Sequence, residues 1–240
     1  MKKIIKKEEI GEAKEYINEK KLRILVAVFL GLTTLLVAWA GWIGSLHSGI
    51  QAINFTKSNN LAAKANSEYN VAAQIYLSDL FTWNTILNLQ IDMENARENG
   101  NYDEEKVIKS KIEKIKDSSC SPKLLKFISS TNIIEDKTSP FEKEEFINSY
   151  FEDAKKLLDE SQQVMEEGKQ DNLRGDSYKL VTVIYSLVLF LLGIVGIIKD
   201  FQSRKILFIF SVIILFLGII YMLTIPMPTG FQITNFFKFK

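Results

Sequence analysis

Three stretches of the chain are apolar and carry no charged residue away from their ends. They cover residues 22–44, 178–198 and 206–225. A helix needs about 20 apolar residues to cross the hydrocarbon core of a bilayer. The pattern therefore predicts three transmembrane helices. Only residues 199–205 separate the last two, so we expect these to form a tight antiparallel hairpin.

The region between the first two spans is largely polar, and its apolar positions recur every three or four residues. This spacing is typical of amphipathic helices. We expect the first helix to continue past the membrane to the turn-forming Asn99-Gly100-Asn101, with a bend favoured at the polar Lys57-Ser58-Asn59-Asn60. Its expected buried stripe consists of Leu46, Ile50, Ile53, Val71, Ile75, Leu80, Trp83, Leu87 and Ile91.

A second long helix is predicted to return toward the membrane. A short helix is expected from Asp103 to Asp117, then two turns over residues 122–129 and a loop over residues 131–138. Ser139-Pro140-Phe141-Glu142 combines an N-cap serine, an N1 proline and a capping-box glutamate. The returning helix either breaks at Gly168 and Gly175 or passes straight into the second span. Its expected stripe is Phe146, Tyr150, Ala154, Leu157, Ser161, Val164 and Glu167.

These elements predict an all-α fold. It is expected to be an integral membrane protein with three transmembrane helices and an extramembrane antiparallel helical stalk, whose stripes bury one another as in a coiled coil or bundle. In chain order we predict a basic N-terminal segment (1–21), the first span (22–44), the stalk (45–177), the second span (178–198), a turn (199–205), the third span (206–225) and an aromatic and basic tail (226–240).

Lys and Arg residues near the span ends predict the orientation in the membrane. The first 23 residues carry seven Lys and one Arg, and the turn carries Lys199, Arg204 and Lys205. We therefore expect both to lie in the cytoplasm, with residues 45–177 outside the cytoplasmic membrane and the tail in the headgroup layer. The alternative for the first span is a signal peptide cleaved after Ala38-Trp39-Ala40. Its length and the charged segment before it favour a retained span.

Composition removes several classes of function. Hydrophobic residues make up 47% of the chain and charged residues 25%, segregated along it, which excludes an ordinary soluble domain. The single Cys120 and single His47 exclude an intramolecular disulfide framework and multi-His or Cys-based metal sites. There is no phosphate-binding glycine loop and no nucleophile elbow. We predict no catalytic residue, no cofactor, no metal and no nucleic-acid partner.

A seam of small residues follows the first span at alternating steps of four and three. Small side chains let two helix backbones approach closely, which drives helix association in lipid. We predict that this helix-packing seam packs the three helices of one subunit, forms an interface between subunits, or lines a pore; the first is favoured. The seam consists of Ala27, Gly31, Thr34, Ala38, Gly41, Ser45, Ser48 and Ala52 in the first span, and Ser186 and Gly193 in the second.

Two further residues have an ordinary and a functional interpretation. His47 lies one turn past the first span, where an interfacial polar residue is favoured over a pH-sensing or ligand-binding one. Cys120 has no His nearby in sequence, which disfavours a reactive thiol. No ionisable residue lies at the middle of a span, and this disfavours proton relays, voltage sensors and coupled transporters.

The expected function is therefore non-enzymatic. We predict that the stalk serves oligomeric assembly or contact with a protein partner at the cell envelope, that the chain is a homo-oligomer, and that its other partner is the lipid bilayer. The first alternative is an oligomeric ion channel or passive pore lined by Thr33, Thr34, Thr182 and Ser186. The second is a membrane sensor, although the chain shows no cytoplasmic output domain.

Four short motifs carry a resemblance to a known group. They are Trp39-Ala40-Gly41-Trp42 at the end of the first span, Ser139-Pro140-Phe141 at the returning helix, residues 176–183 entering the second span, and Leu223-Thr224-Ile225-Pro226 closing the third. The chain resembles a group of uncharacterised prokaryotic membrane proteins with an N-terminal span, a helical middle and a C-terminal two-span hairpin. The resemblance implies this fold and a cell-envelope location, and no activity.

Overall fold

The structure, a computed structural model, describes the backbone of residues 2–130 and 139–228 and the side chains of residues 17–129 and 139–228. The expected loop 131–138 and the tail beyond residue 228 lie outside the described residues. Within the described ranges the chain is all-helical without strands, as predicted. The α-helices are α1 (Lys2–Glu98), α2 (Tyr102–Ser119), α3 (Pro122–Ser130), α4 (Glu144–Ile197) and α5 (Phe201–Thr224), with a 3-10 turn at Pro140–Glu142.

Three of these helices are long and apolar enough to cross a membrane. They are α1, α4 and α5. α1 contains the first predicted span, and α4 and α5 end one residue before the predicted ends of the second and third spans. The hairpin between α4 and α5 is closed by Asp200, whose side chain accepts a hydrogen bond from Ser203 N at 2.7 Å and so caps α5. The described chain thus has the architecture expected of a three-span membrane protein.

The chain divides into two compact units. Residues 1–56 and 165–240 form the first, here called the span unit, and residues 57–164 form the second, the middle unit. Residues 45–56 and 165–177, which the sequence assigns to the stalk, thus belong to the span unit. Within each unit α1 and α4 run antiparallel: Phe55 lies beside Gly168 in the span unit, and Ser58 beside Ser161 in the middle unit.

Both long helices continue through the positions where the sequence favours an interruption. The expected bend at Lys57-Ser58-Asn59-Asn60 is wrong, because α1 is helical throughout these residues and Ser58 is buried. Polar residues end a helix only when their side chains compete for its backbone, and the Ser58 hydroxyl bonds another helix instead. Of the two alternatives at Gly168 and Gly175, the uninterrupted helix is the one observed.

The helix ends in the middle unit follow local sequence signals closely. After α1, Gly100 adopts φ +71°, a left-handed conformation that glycine takes without strain. Asn101 then caps α2 by accepting from Glu104 N. The expected start of the returning helix at Ser139 is wrong by a few residues. Ser139 caps the 3-10 turn, and α4 begins only at Glu144, because Lys143 is extended.

Each unit has its own core. In the span unit, residues from α1, α4 and α5 pack together around Ile43, Tyr185 and Leu215. In the middle unit, Trp83 and Ile86 of α1 pack with Ile108 and Ile112 of α2 and Leu124 of α3. Ile115, also on α2, packs against the same core.

The buried face of α1 in the middle unit differs from the predicted stripe. Ser58, Ala65, Ala72 and Asp79 are buried at steps of seven, whereas Val71, Ile75 and Ile91 are largely exposed, as is Ile53 in the span unit. On α4, Glu167 is exposed and Gly168 is buried instead. Small side chains let α1 and α4 approach closely, so the face in contact is not the most apolar one.

Candidate functional site

The small-residue seam lies on the outside of the span unit. Its members on α1 are exposed except Ser48, which is half-buried; the exposed ones are Ala27, Gly31, Thr34, Ala38, Gly41, Ser45 and Ala52. Ser186 and Gly193 of α4 are exposed as well. A Cβ added at Gly31, Gly41 or Gly193 would meet no atom within 4 Å beyond its own helix backbone.

Packing within the span unit uses a different face of α1. Thr33, Ala40, Ile43 and His47 have no exposed surface. Each residue of a helix is turned about 100° from the one before it, so Thr33 points into the unit while Thr34 of the seam points away. Within the span unit, Ser48 is the seam residue that lies against α4, where its hydroxyl is 3.5 Å from the position of a Cβ on Gly175. The exposed seam residues are not part of this packing, so the favoured interpretation, in which the seam packs the helices of one subunit, holds for Ser48 alone among the described α1 members.

A polar cluster lies in the span unit around the buried side chains of His47 and Asp171. His47 Nδ1 is 2.9 Å from Asp171 Oδ1, and His47 Nε2 is 3.2 Å from the carbonyl oxygen of Pro226. The imidazole also stacks on the Tyr178 ring, with centroids 5.8 Å apart. The guanidinium of Arg174 also lies near Asp171, with Nη1 3.6 Å from the same carboxylate oxygen. The cluster thus joins α1, α4 and the segment after α5.

This position of His47 was missed by the sequence interpretation. His47 and Asp171 are 0% and 4% exposed, so His47 is not an exposed interfacial residue. The available signal was the register: Thr33, Ala40 and His47 follow one another at steps of seven on the buried face. Both ring nitrogens have partners and the ring has no access to solvent, so the geometry suits a clasp between helices and leaves no room for a substrate.

A second buried cluster lies in the middle unit around Asp79. Its carboxylate, 1% exposed, accepts from Ser121 N at 2.8 Å, from Tyr150 OH at 2.6 Å and from the Ser121 hydroxyl. Ser121 Oγ in turn accepts from Leu124 N at 3.2 Å and so caps α3. Asp79 therefore fixes the start of α3 against α1 and α4.

The Asp79 carboxylate acts on two neighbouring titratable groups. Burial, and then the hydrogen bond and the negative charge of Asp79, raise the pKa of the Tyr150 phenol. Burial, and then the charge of Asp79, also raise the pKa of the Cys120 thiol, while Lys116 opposes this. Cys120 is therefore held in its thiol form, which is not the activated thiolate of a nucleophile.

Two serines form a reciprocal contact between α1 and α4 in the middle unit. Ser58 Oγ donates to Ser161 O at 2.8 Å, and Ser161 Oγ donates to Ser58 O at 2.9 Å. Both residues are almost fully buried. Ser161 stands on the predicted stripe, whereas Ser58 falls on the expected bend. Such a contact fixes the register of the two helices. It consists of serine hydroxyl and carbonyl groups, without a base that could activate either serine.

The hydroxyl groups considered as a pore lining bond to their own helices. Thr33, Thr34, Thr182 and Ser186 each donate to the carbonyl four residues earlier. Thr33 is buried and the exposed Thr34 lies on another face of α1. The four hydroxyls therefore do not converge on one surface of the span unit.

Neither a metal site nor a similar protein adds to this description. Among the side chains the structure describes, no three His, Cys, Asp or Glu residues come together as a metal-binding group. No protein-family model matches the chain, and no curated protein and no solved structure shows significant similarity to it.

Proposed function

We propose that the chain is a non-enzymatic integral membrane protein that assembles with further copies of itself through the helix-packing seam of α1. The observation that carries the proposal is the exposure of the seam. All of its small residues on α1 except Ser48 are exposed on a span unit whose three helices pack around other residues. In lipid, small side chains on a helix surface favour close contact with a second helix.

A second copy of this chain is the occupant that the seam fits best. The seam is continuous from Ala27 to Ala52, and Gly31 and Gly41 leave open space where a helix backbone can approach. Lipid chains gain little from such a surface, because few side-chain atoms are there to contact them. A copy of α1 presents the same small surface and permits backbone-to-backbone packing along the whole seam.

The two buried clusters support a non-enzymatic function. In the span unit both ring nitrogens of His47 are occupied and the side chain is fully buried. In the middle unit Asp79 already accepts from Ser121 and Tyr150. A general base must reach the proton that it removes from a substrate, and neither group has this access. The hydroxyl groups bonded within their own helices likewise support assembly over a pore.

The proposal includes the location and the partners. The basic N-terminal segment and the basic turn favour a cytoplasmic N-terminus and export of residues 45–177. The resemblance suggests that the membrane is the cytoplasmic membrane of a prokaryote.

For a protein partner, the middle unit offers the exposed Leu77 and Phe81, one helical turn apart on α1. Apolar side chains exposed together are typical of contact surfaces.

Disulfide trapping in native membranes tests the assembly. Single cysteines replace Gly31 or Ala38 in a Cys120→Ser background, and an added oxidant joins cysteines that approach one another. We expect covalent dimers from both positions. Leu32→Cys is the matched control, because it lies at the same depth as Gly31 but about 100° around the helix. It is exposed on another face, and we expect it to stay monomeric.

Two outcomes would contradict the proposal. One is a monomer at both seam positions, and the other is equal trapping at Leu32→Cys, which would indicate random collision in the membrane. Counting subunits in detergent-purified particles of the unmodified chain then gives the stoichiometry. A conductance measurement in planar bilayers separates assembly alone from a pore, since assembly alone predicts no unitary current.

A further inference from the structure

A basic cavity lies in the span unit where α1 passes the turn between α4 and α5. Its volume is 470 Å³. Glu19 and Arg23 line it from α1, Gly196 and Ile197 from the end of α4, and Lys199 and Arg204 from the turn and the start of α5. The cavity therefore lies at the end of all three candidate spans, where a bilayer changes from hydrocarbon to headgroups.

Arg204 is the central residue of this cavity. It is only 5% exposed, and its one side-chain hydrogen bond to a described residue runs from Nε to the carbonyl oxygen of Val195 at 3.2 Å. Among the side chains of residues 17–129 and 139–228, no carboxylate lies within ion-pair distance of its guanidinium. A buried cation without an anion is costly. The two terminal nitrogens of Arg204 are thus left for an anion from outside the described chain.

The remaining charges leave the cavity positive. Arg23, Lys199 and Arg204 contribute three positive charges and Glu19 one negative charge, a net of +2. Glu19 lies 3.6 Å from Arg23 Nη2, so the one carboxylate in the lining is already paired. Lys199 and Arg204 therefore supply the unbalanced charge. An anion with two oxygens matches the planar fork of an arginine.

An apolar surface adjoins this charge. Gly193 and Gly196 lie on the outer face of α4, and a Cβ at either would meet only open space. Ile197 is 81% exposed beside them. A ligand that fits both features carries a phosphate and a hydrocarbon chain together. A soluble phosphate ion would use the charge and leave the apolar surface uncovered.

We propose that this cavity binds the headgroup of an anionic phospholipid. The phosphate lies on the terminal nitrogens of Arg204, Lys199 adds a second positive charge, and an acyl chain follows the glycine face of α4. Basic pockets between transmembrane helices recognise anionic lipid headgroups by these interactions. The proposal does not rest on assembly through the α1 seam, because none of the residues that line the cavity belongs to the seam; only Gly193, beside the cavity, is common to both surfaces.

Lipid binding to the full-length chain in a neutral detergent tests the proposal. Native mass spectrometry follows titration with phosphatidylglycerol or with phosphatidylcholine of the same acyl chains. We expect one phosphatidylglycerol per subunit, bound at least about tenfold more tightly than phosphatidylcholine, because charge-assisted hydrogen bonds contribute that much. Arg204→Gln is expected to remove this preference. Lys179→Gln is the matched control, since Lys179 is an exposed cation near the other end of the α4 span, paired with Asp176.

Further variants separate lipid binding from a purely structural role of Arg204 as a cap on the α4 carbonyls. If Arg204→Gln does not fold, the variants Lys199→Gln and Gly196→Leu are tested in its place. Each is expected to fold and to bind phosphatidylglycerol more weakly than the wild type. The proposal is overturned if the wild type binds both lipids equally or if the folded variants keep the full preference. It is also overturned if millimolar inorganic phosphate displaces the lipid, which would assign the site to a soluble anion.

Discussion

His47 Nδ1 lies 2.9 Å from Asp171 Oδ1 in the interior of the span unit, 124 residues apart in sequence. The contact joins α1 to α4, and His47 Nε2 joins both to the carbonyl of Pro226 after α5. One imidazole thus ties together the three segments that enclose this end of the unit. Removing one partner of a buried polar pair takes from the other one of its hydrogen bonds, which is destabilising.

We therefore predict that His47→Ala lowers the free energy of unfolding of the detergent-solubilised protein by about 3 kcal/mol. Chemical denaturation followed by circular dichroism measures the change. Ser45→Ala is the matched control on the same turn of α1; Ser45 is exposed, so we expect no measurable effect.

A double-mutant cycle shows whether the pair itself is responsible. Asp171→Ala and His47→Ala are expected to destabilise less together than the sum of their separate effects, because each already removes the shared contact. Additive effects would show that the two side chains act independently, and the clasp interpretation would then fail.

Gly218 of α5 provides a test of packing within the span unit. A Cβ there would lie 2.8 Å from Cε1 of the buried Tyr185. We predict that Gly218→Ala costs about 1–3 kcal/mol through overpacking, because Tyr185 has no exposed direction in which to move. The unfolding free energy in detergent is the measurement.

Gly193→Ala is the matched control for Gly218→Ala. Its Cβ would meet open space, and alanine favours a helix over glycine. The fold is therefore expected to be no less stable. Equal losses from both substitutions would indicate that helix flexibility, and not contact with Tyr185, determines the cost.

The Asp79 carboxylate leads to a prediction for the middle unit. Asp79→Ala leaves the Ser121 amide and the Tyr150 hydroxyl without their acceptor. We expect a loss of about 2–3 kcal/mol, the cost of unsatisfied buried donors. Proteolysis of the full chain under native conditions would show faster cleavage in residues 57–164. Asp92→Ala is the control at an exposed position of the same helix, and cleavage as fast in this variant would contradict the prediction.

The spans were predictable from sequence because the signal is simple. Uncharged apolar runs of sufficient length mark the spanning parts of α1, α4 and α5, and glycine and asparagine mark the turn before α2. The buried face of α1 in the middle unit could not be predicted from hydrophobicity. Hydrophobicity favours Val71 and Ile75, but close approach to α4 favours Ala65 and Ala72, and only the contact between the two helices decides which face is buried.

The polar clusters were missed for a related reason. A lone His47 and a lone Asp79 have no nearby partner in sequence, because their partners lie on other helices. The spacing of seven residues that places His47 and Asp79 in line with buried neighbours can be read from the sequence. It does not stand out there, because a polar residue is ordinarily assigned to the solvent-facing side of a helix.

The pH dependence of Cys120 alkylation tests the effect of the Asp79 charge on the pKa of the thiol. Burial first and Asp79 second raise the pKa of the thiol, and only the thiolate reacts with alkylating reagents. A raised pKa means less thiolate at a given pH. We therefore predict that the alkylation rate of Cys120 in the folded protein rises with pH at a higher midpoint than that of an exposed cysteine. Ser67→Cys in a Cys120→Ser background supplies the comparison, since Ser67 is exposed.

The variant Asp79→Asn then separates the two causes. It removes the negative charge and keeps the burial, so the midpoint is expected to move down in pH but to remain above that of the exposed cysteine. Circular dichroism at each pH confirms that the protein is folded during the reaction, because unfolding alone would also lower the midpoint. An unchanged midpoint in folded Asp79→Asn would show that the carboxylate does not act on the thiol, and the described position of Cys120 beside Asp79 would be contradicted.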